Sequence, residues 1–422
     1  MMEIVIVGNS AGAIGAIEAI RKVNTTLPIT VISEEPYPVY SRPLISYLLS
    51  GEIKEDRIFY RSKNFYEKQH IKTRLGRTVT KVDFEKRKVE LKDGEKIPYD
   101  RLLIAMGGIP FIPKIEGVHL SGVYTFTRLD DAKKLLSILP SVQRAIVVGG
   151  GLIGLKVAEA LRKRGVEVTV IELANHILNL TLDETASLLL EKALEKEGIH
   201  LMTSTTVERI LGDRKVESVH LSNGKTINAQ LVILAIGVIP NVGIFKDTPL
   251  QIDKGILVNE RMETNLPHIY AAGDVTQSYD KILKMVRPLP IWPNAYHQGK
   301  IAGYQMVGRE EYQYEGGFTM NSIEVAHLPI ISIGLTQPPS EDGYQVFKKI
   351  DRGTNTYRKI ILKEDRVVGA ILIGEIDRAG IITGLLREGL SVKGFKKELL
   401  KNPFGWISFP KHLRKERLGK PK

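Results

Sequence analysis

One supersecondary pattern is written twice in this chain, and it constrains the fold more than any other feature. IVIVGNSAGAIGAIEAIRK…LPITVISEE (Ile4 to Glu35) reads strand, Gly-rich turn, helix, strand, acid. AIVVGGGLIGLKVAEALRKRGVEVTVIEL (Ala145 to Leu173) repeats that order. Short β-branched runs alternating with amphipathic helical stretches imply parallel sheets with helices on their faces. With 422 residues the chain has room for two or three domains, each with its own core.

The second copy carries the full spacing G-x-G-x-x-G at Gly149, Gly151 and Gly154. The first Gly turns the chain, the second lets backbone N–H groups approach a pyrophosphate, and the third permits close helix–strand contact. Leu152 and Ile153 fall in the first helical turn, where the free N–H groups and the helix dipole favour phosphate. Glu172 ends the next strand 23 positions after Gly149, where a carboxylate accepts from a ribose 2′-hydroxyl. No Arg follows it to offset a 2′-phosphate, so the spacing favours NADH over NADPH. The first copy has Gly8, Ser10 and Ala13 at the three glycine places, with Gly12 beside them. Ser and Ala are the smallest replacements, so close approach to a phosphate survives. Glu34, with Glu35 as its neighbour, is the ribose candidate.

DRLLIAMGGIP, with Ala105 and Gly107, and LVILAIGVIPN, with Gly237, are apolar strands closing on Gly after each nucleotide unit. GILVNERMETNLPHIYAAGDV then ends in Gly273-Asp274. The second unit therefore reads as an insertion in the first. The expected architecture is α/β: two Rossmann-like nucleotide-binding domains, the second inserted in the first, plus a C-terminal α+β domain. The expected boundaries are 1–112 with 238–314, then 113–237, then 315–422 with a basic tail.

The order GNSAGA, YSRPLIS, IAMGGIP, GGGLIG, IGVIPN, AAGDV resembles the FAD- and NAD(P)-dependent pyridine nucleotide oxidoreductases. YSRPLIS, WPNAYHQGKIAG and NSIEVAHLPIISIGL look most like the NirB-like branch, which includes NADH:rubredoxin reductases. The resemblance implies FAD on the first unit, NADH on the inserted one, and a C-terminal domain covering the flavin. It places Gly8, Ser10 and Ala13 at the FAD pyrophosphate, Glu34 at its ribose, and Arg42 and Pro43 beside the flavin. Asp274 would bond the ribityl chain, and Trp292 would wall the flavin or fill core. The helix opened by Pro293 and Asn294 would aim its N-terminus at the pyrimidine, where reduced flavin carries negative charge. Two departures stand out. Where relatives often carry Lys, this chain has Tyr47, and where they carry Glu it has Lys156. A Lys156 that reached the flavin–nicotinamide contact would favour anionic reduced flavin.

Many two-nucleotide flavoenzymes carry a redox-active cysteine in the stretch occupied here by Ser41-Arg42-Pro43, and this chain contains no cysteine. Disulfides, thiolate metal sites and dithiol or sulfenate chemistry within the chain are thereby excluded. Electrons delivered to the flavin must then pass directly to an external acceptor. The net charge of +12 favours an acidic one. Residues 393–422 concentrate it, with ten Lys/Arg against two Glu. No nucleic-acid motif accompanies that charge, and no apolar run spans a bilayer. The expectation is a cytoplasmic enzyme taking NADH and serving an acidic electron-carrier protein, such as rubredoxin or ferredoxin, or a partner redox subunit. A homo-oligomer stays open. An oxidase or diaphorase acting on oxygen or quinones, the flavin subunit of a larger complex, and a redox-sensing interaction protein are the alternatives.

Overall fold

The computed structural model describes residues 2–340 and 342–401, together with Gly405, Phe409, Lys411 and Arg414. Along the chain, strand β1 (Ile4–Val7), helix α1 (Ala11–Val23) and strand β2 (Ile29–Ser33) form the first βαβ unit. A short helix α2 (Ile45–Ser50) precedes strands β3 (Ile71–Leu75) and β4 (Arg101–Ile104). Next come strand β5 (Val123–Thr125) and helix α3 (Leu129–Ile138). The second βαβ unit is β6 (Arg144–Val148), α4 (Leu152–Lys163) and β7 (Glu167–Ile171). Helix α5 (Glu184–Lys196) and strands β8 (Ile199–Met202) and β9 (Leu231–Leu234) complete it.

The chain then supplies β10 (Ile269–Ala271), a hairpin of β11 (Thr276–Asp280) and β12 (Met285–Arg287), and helix α6 (Trp292–Gln305). Strands β13 (Met320–Val325), β14 (Leu328–Gly334), β15 (Tyr344–Asp351), β16 (Thr356–Lys363) and β17 (Arg366–Ile373) follow, and then helix α7 (Ala379–Glu388).

The two repeats produce the same sheet. In the first the order is β10-β4-β1-β2-β3, and in the second β8-β7-β6-β9-β5. All neighbours in both are parallel. Every residue of β1 and β9 is buried, as parallel strands covered on both faces require. In each sheet the order reverses beside the strand that carries the Gly-rich turn, which is where doubly wound folds bind ligands.

The chain divides into two compact units. One comprises Met1–Ile112, Thr127–Leu136 and Gly237–Phe318; the other comprises Pro113–Phe126, Ser137–Ile236 and Thr319–Lys422. In the first, α1 crosses α6 along small residues. A Cβ on Gly299 would collide with the Gly12 backbone, one on Gly303 with Ala16, and one on Gly15 with the Tyr296 carbonyl. Most of helix α3 also belongs to this unit, tied to it by Arg128–Glu34 (2.9 Å), Lys133–Glu55 (2.8 Å) and the Tyr37 hydroxyl donating to Asp130 (2.5 Å).

The second unit joins the inserted sheet to an all-antiparallel sheet of order β13-β14-β17-β16-β15. Asp183 caps α5 by accepting from the Ala186 N–H. It also accepts from Lys359 Nζ and the Tyr357 hydroxyl, both at 2.8 Å, so one carboxylate fastens the two sheets' elements. Lys359 is buried and also donates to the Thr336 carbonyl. Of the basic C-terminal segment, residues 393–401 are described and packed down: Leu399 is fully buried, and buried Arg358 donates to the Leu399 and Lys401 carbonyls. Most of that segment lies outside the described residues.

Candidate functional site

The residues singled out for FAD fall in the first unit and those for NADH, Gly149 to Glu172, in the second. At the first turn Gly8 has φ +116°, and a Cβ there would strike the Ala105 carbonyl. Glycine is required because β1 and β4 end side by side: the Gly8 N–H reaches the Ile32 carbonyl (2.8 Å) and the Ala105 N–H reaches Val7 (2.7 Å). Ser10 is the extended N-cap of α1, and its hydroxyl makes no capping bond, so the first-turn N–H groups around Gly12 and Ala13 are left for a ligand. Gly107 (φ +68°) and Gly237 (φ +114°) have nothing within 4 Å of where a Cβ would stand.

Residues 34–47 form a charged lattice. Glu35 accepts from Arg42 (2.5 Å) and from the Tyr40 hydroxyl, and Arg42 also donates to the Thr127 carbonyl (2.8 Å). Burial, with Glu35 next to it, raises the Tyr40 hydroxyl pKa. Pro43 stiffens the single 3-10 turn Arg42–Leu44 that leads into α2. Tyr47 lies in α2, and its carbonyl accepts from Gly51, Glu52 and Ile53 N–H groups. Glu34 is about half exposed and bound to Arg128.

Asp274 follows the left-handed Gly273 (φ +85°). Its half-buried carboxyl is pushed up to about 6 by burial, against the opposing pull of the Arg42 charge. Fully buried Gln298 fixes this turn: its Oε1 accepts from the Gly273 N–H (2.7 Å) and its Nε2 donates to Ser278 (2.8 Å). Trp292 opens α6 and packs edge-to-face on Tyr60, centroids 5.1 Å apart. Near the N-terminus of α6, the Asn294 side-chain N–H₂ is buried without a hydrogen-bond partner.

In the second unit Gly149 has φ +109° and its Cβ would overlap the Ala235 carbonyl; a Cβ on Gly154 would overlap Gly149 itself. Gly151 is the extended N-cap of α4 and has open space on its Cβ side. Leu152 and Ile153 begin the helix, with Ile153 exposed. Glu172 already accepts from the Gly150 N–H (2.7 Å) and the Ala174 N–H (2.8 Å), which aims its carboxylate across the turn. Lys156 is held within this unit: its Nζ donates to Glu159 (2.7 Å) and to the Glu324 carbonyl (3.0 Å). Glu159 in turn accepts from the Ala326 N–H (2.7 Å).

Sequence reasoning missed Gln298, Gly299 and Gly303, and also Arg128 just before α3 and Asp130 and Lys133 within it. The G-x-x-x-G spacing of Gly299 and Gly303 was a readable signal for close helix contact. The pairs made by Arg128, Asp130 and Lys133 join residues far apart in the sequence and carry no local signature. Among the described residues no group of His, Asp or Glu could hold a metal ion, and no helix is long and apolar enough to cross a membrane.

Two glycine-lined βα turns, each ending a buried parallel strand and each followed at the next strand's end by an acid, define a protein that binds two nucleotides. The pyridine nucleotide-disulphide oxidoreductase description matches residues 2–299, and the rubredoxin NAD+ reductase C-terminal domain matches residues 320–390. The chain belongs to the pyridine nucleotide-disulphide oxidoreductase family, whose cofactors are FAD and NADH. It is 34% identical to an NADH oxidase of Methanocaldococcus jannaschii, over 88% of each chain. It is 32% identical to a nitrite reductase [NAD(P)H] of Bacillus subtilis, over 95% of this chain and 49% of that protein, so it spans about half that relative's length. Among solved structures, the NADH:rubredoxin oxidoreductase from Clostridium acetobutylicum superposes with TM-score 0.76 at 27% identity, over 93% of this chain and 97% of that one.

The residues present fit both nucleotides. For FAD, an unpartnered buried amide at Asn294, a raised carboxyl at Asp274 and open space beside Gly107 are groups awaiting a polar ligand. For NADH, the open side of Gly151 and the positioned Glu172 carboxylate serve the same purpose.

Proposed function

We propose that the protein is an FAD-dependent NADH:acceptor oxidoreductase of the cytoplasm that delivers electrons to a small acidic electron-carrier protein, such as rubredoxin or ferredoxin. FAD is assigned to residues 1–112 and 238–314, NADH to 113–237, and a separate α+β fold to 315–422. When bound, the flavin supplies a ring that accepts a hydride equivalent and releases electrons singly or in pairs. The chain's own residues orient and polarise. The N-terminus of α1, with Gly8, Ser10, Gly12 and Ala13, holds the FAD pyrophosphate. Glu34 takes the ribose, and Asp274 accepts from the ribityl hydroxyls. The N-terminus of α6, with Asn294, places positive dipole where the flavin gains negative charge. Gly149, Gly151 and Gly154 bring the NADH pyrophosphate to α4, and Glu172 accepts from its ribose.

The observation that carries the acceptor assignment is the absence of cysteine, with Arg42 anchored to Glu35 in the stretch where a thiol would relay electrons. Anaerobic reduction with NADH followed by stopped-flow mixing with rubredoxin, across ionic strength, tests it. Rapid reoxidation that slows as salt rises is the expected result. Reoxidation by oxygen or menadione alone would replace this reading with an oxidase. The chain's coverage of half of a nitrite reductase favours a second reading, an electron-input module serving a partner redox subunit.

A further inference from the structure

The residues assigned to the flavin bracket a hairpin whose surface does not suit water. Strand β11 starts two residues after Asp274, and β12 ends five residues before Trp292. Tyr279 pairs with Val286 and Asp280 with Met285, and Lys281-Ile282-Leu283-Lys284 connects the strands. A ribbon facing solvent is expected to place polar residues outward. Instead Tyr279, Leu283, Met285 and Val286 are 44, 39, 50 and 48% exposed. Cross-strand partners share a face, so Tyr279 and Val286 lie on one side of the ribbon and Met285 on the other.

The turn itself is well built, so the exposure is not a frayed end. Asp280 accepts from the Ile282 and Leu283 N–H groups (2.9 and 3.0 Å), and its other oxygen holds Arg287 (2.7 Å). Asp280 is buried and is the sole acid of residues 276–291. With it neutralised by Arg287, Lys281 and Lys284 set the charge of the tip, and no acid among the described residues pairs with either. The result is a ribbon that exposes apolar side chains on both faces and at its tip, with two lysines at that tip.

We propose that the tip of this hairpin is the landing site for the electron acceptor, an acidic carrier protein that closes over the tip, contacts apolar side chains on both faces of the ribbon and meets Lys281 and Lys284 with carboxylates. The inference rests on the carrier reading under Proposed function. A second copy of this chain would bring lysine against lysine, which disfavours self-association here. At about 3.3 Å per strand residue, Tyr279 stands within roughly 17 Å of Asp274, so a protein seated on the ribbon lies close to the flavin residues.

The test uses the full-length flavin-loaded enzyme, with NADH-driven reduction of rubredoxin as one readout and of uncharged menadione as the other. K281E/K284E should raise the KM for rubredoxin about tenfold at low salt and flatten its salt dependence, and K281R/K284R should restore both. L283S/M285S should raise that KM while keeping the salt dependence. Flavin content and menadione turnover should match wild type in every variant, which separates docking from misfolding. Unchanged rubredoxin KM in both the charge-reversal and serine variants overturns the hairpin assignment alone. A wild-type enzyme that reduces menadione but not rubredoxin overturns the carrier reading and the landing surface with it.

Discussion

Asp274, proposed to bond the flavin's ribityl chain, carries a cost that can be tested. Burial pushes its carboxyl up from 3.8 to about 6 against the pull of the Arg42 charge, and it makes no side-chain hydrogen bond among the described residues. Because the folded state binds that proton more tightly than the unfolded state, stability falls as pH rises through the window from 3.8 to 6. Above it the penalty is fully present, at up to about 3 kcal/mol. Asp274→Asn should therefore raise the melting temperature of the flavin-free protein at pH 7.5 and have little effect near pH 4. The same change should weaken FAD binding about tenfold or more, because a hydrogen bond to a charged acceptor is replaced by a neutral one. Calorimetry at the two pH values, with flavin titration alongside, checks both halves. Parallel melting shifts at the two pH values would show that the carboxyl carries no such penalty.

At the level of elements, the fingerprint turns were legible because their chemistry is local: Gly8 and Gly149 need φ near +110°, and neighbouring carbonyls leave no room for a side chain. Attachments made across long sequence distance were not legible. The pattern LDDAKKLLSI specifies an amphipathic helix, yet nothing in it says that Arg128 will find Glu34 or Asp130 will find Tyr37. Lys156 is a further case. Its place in the fingerprint helix raises the question of a contact with the flavin and nicotinamide; its ammonium donates to Glu159 and to the β13 backbone, a tie between elements that the sequence did not signal. That pair grips the β13–β14 turn, where Ala326 and His327 are both left-handed (φ +48° and +59°), a conformation that costs non-glycine residues energy and needs outside support. Lys156→Glu would set two carboxylates beside a backbone carbonyl and release the turn. We expect a loss of about 2–3 kcal/mol in stability of the second unit, from a charged hydrogen bond removed and a like charge introduced. The flavin potential should stay at the wild-type value. Denaturant unfolding and a potentiometric titration of the holoenzyme read the two effects, and a shifted potential with unaltered stability would return Lys156 to the flavin.

For the whole molecule, the division into two units, taken with the proposed sites, predicts a thermodynamic address for each nucleotide. The residues proposed for FAD, Gly8, Glu34, Arg42, Asp274 and Asn294, all lie in the unit that contains α1, α6 and most of α3, whereas those proposed for NADH, Gly149 to Glu172, lie with the C-terminal sheet. A ligand that binds only folded protein stabilises the unit that holds it, by about 2.7 kcal/mol at a hundredfold excess over its dissociation constant. Hydrogen exchange resolves where that stabilisation lands, because buried strands open with the cooperative unit they belong to. Added to flavin-free protein, FAD should slow exchange in β1, β2, β4 and β10 and in α3, although α3 lies within the sequence segment that the repeat pattern assigns to NADH. Added to flavin-free protein, NADH should slow exchange in β6, β7 and β9. It should also protect β16, because Lys359 and Tyr357 tie that strand to Asp183 at the start of α5. Protection of β16 by FAD but not by NADH, or of α3 by NADH but not by FAD, would show that this division does not govern how each nucleotide's binding energy spreads through the chain.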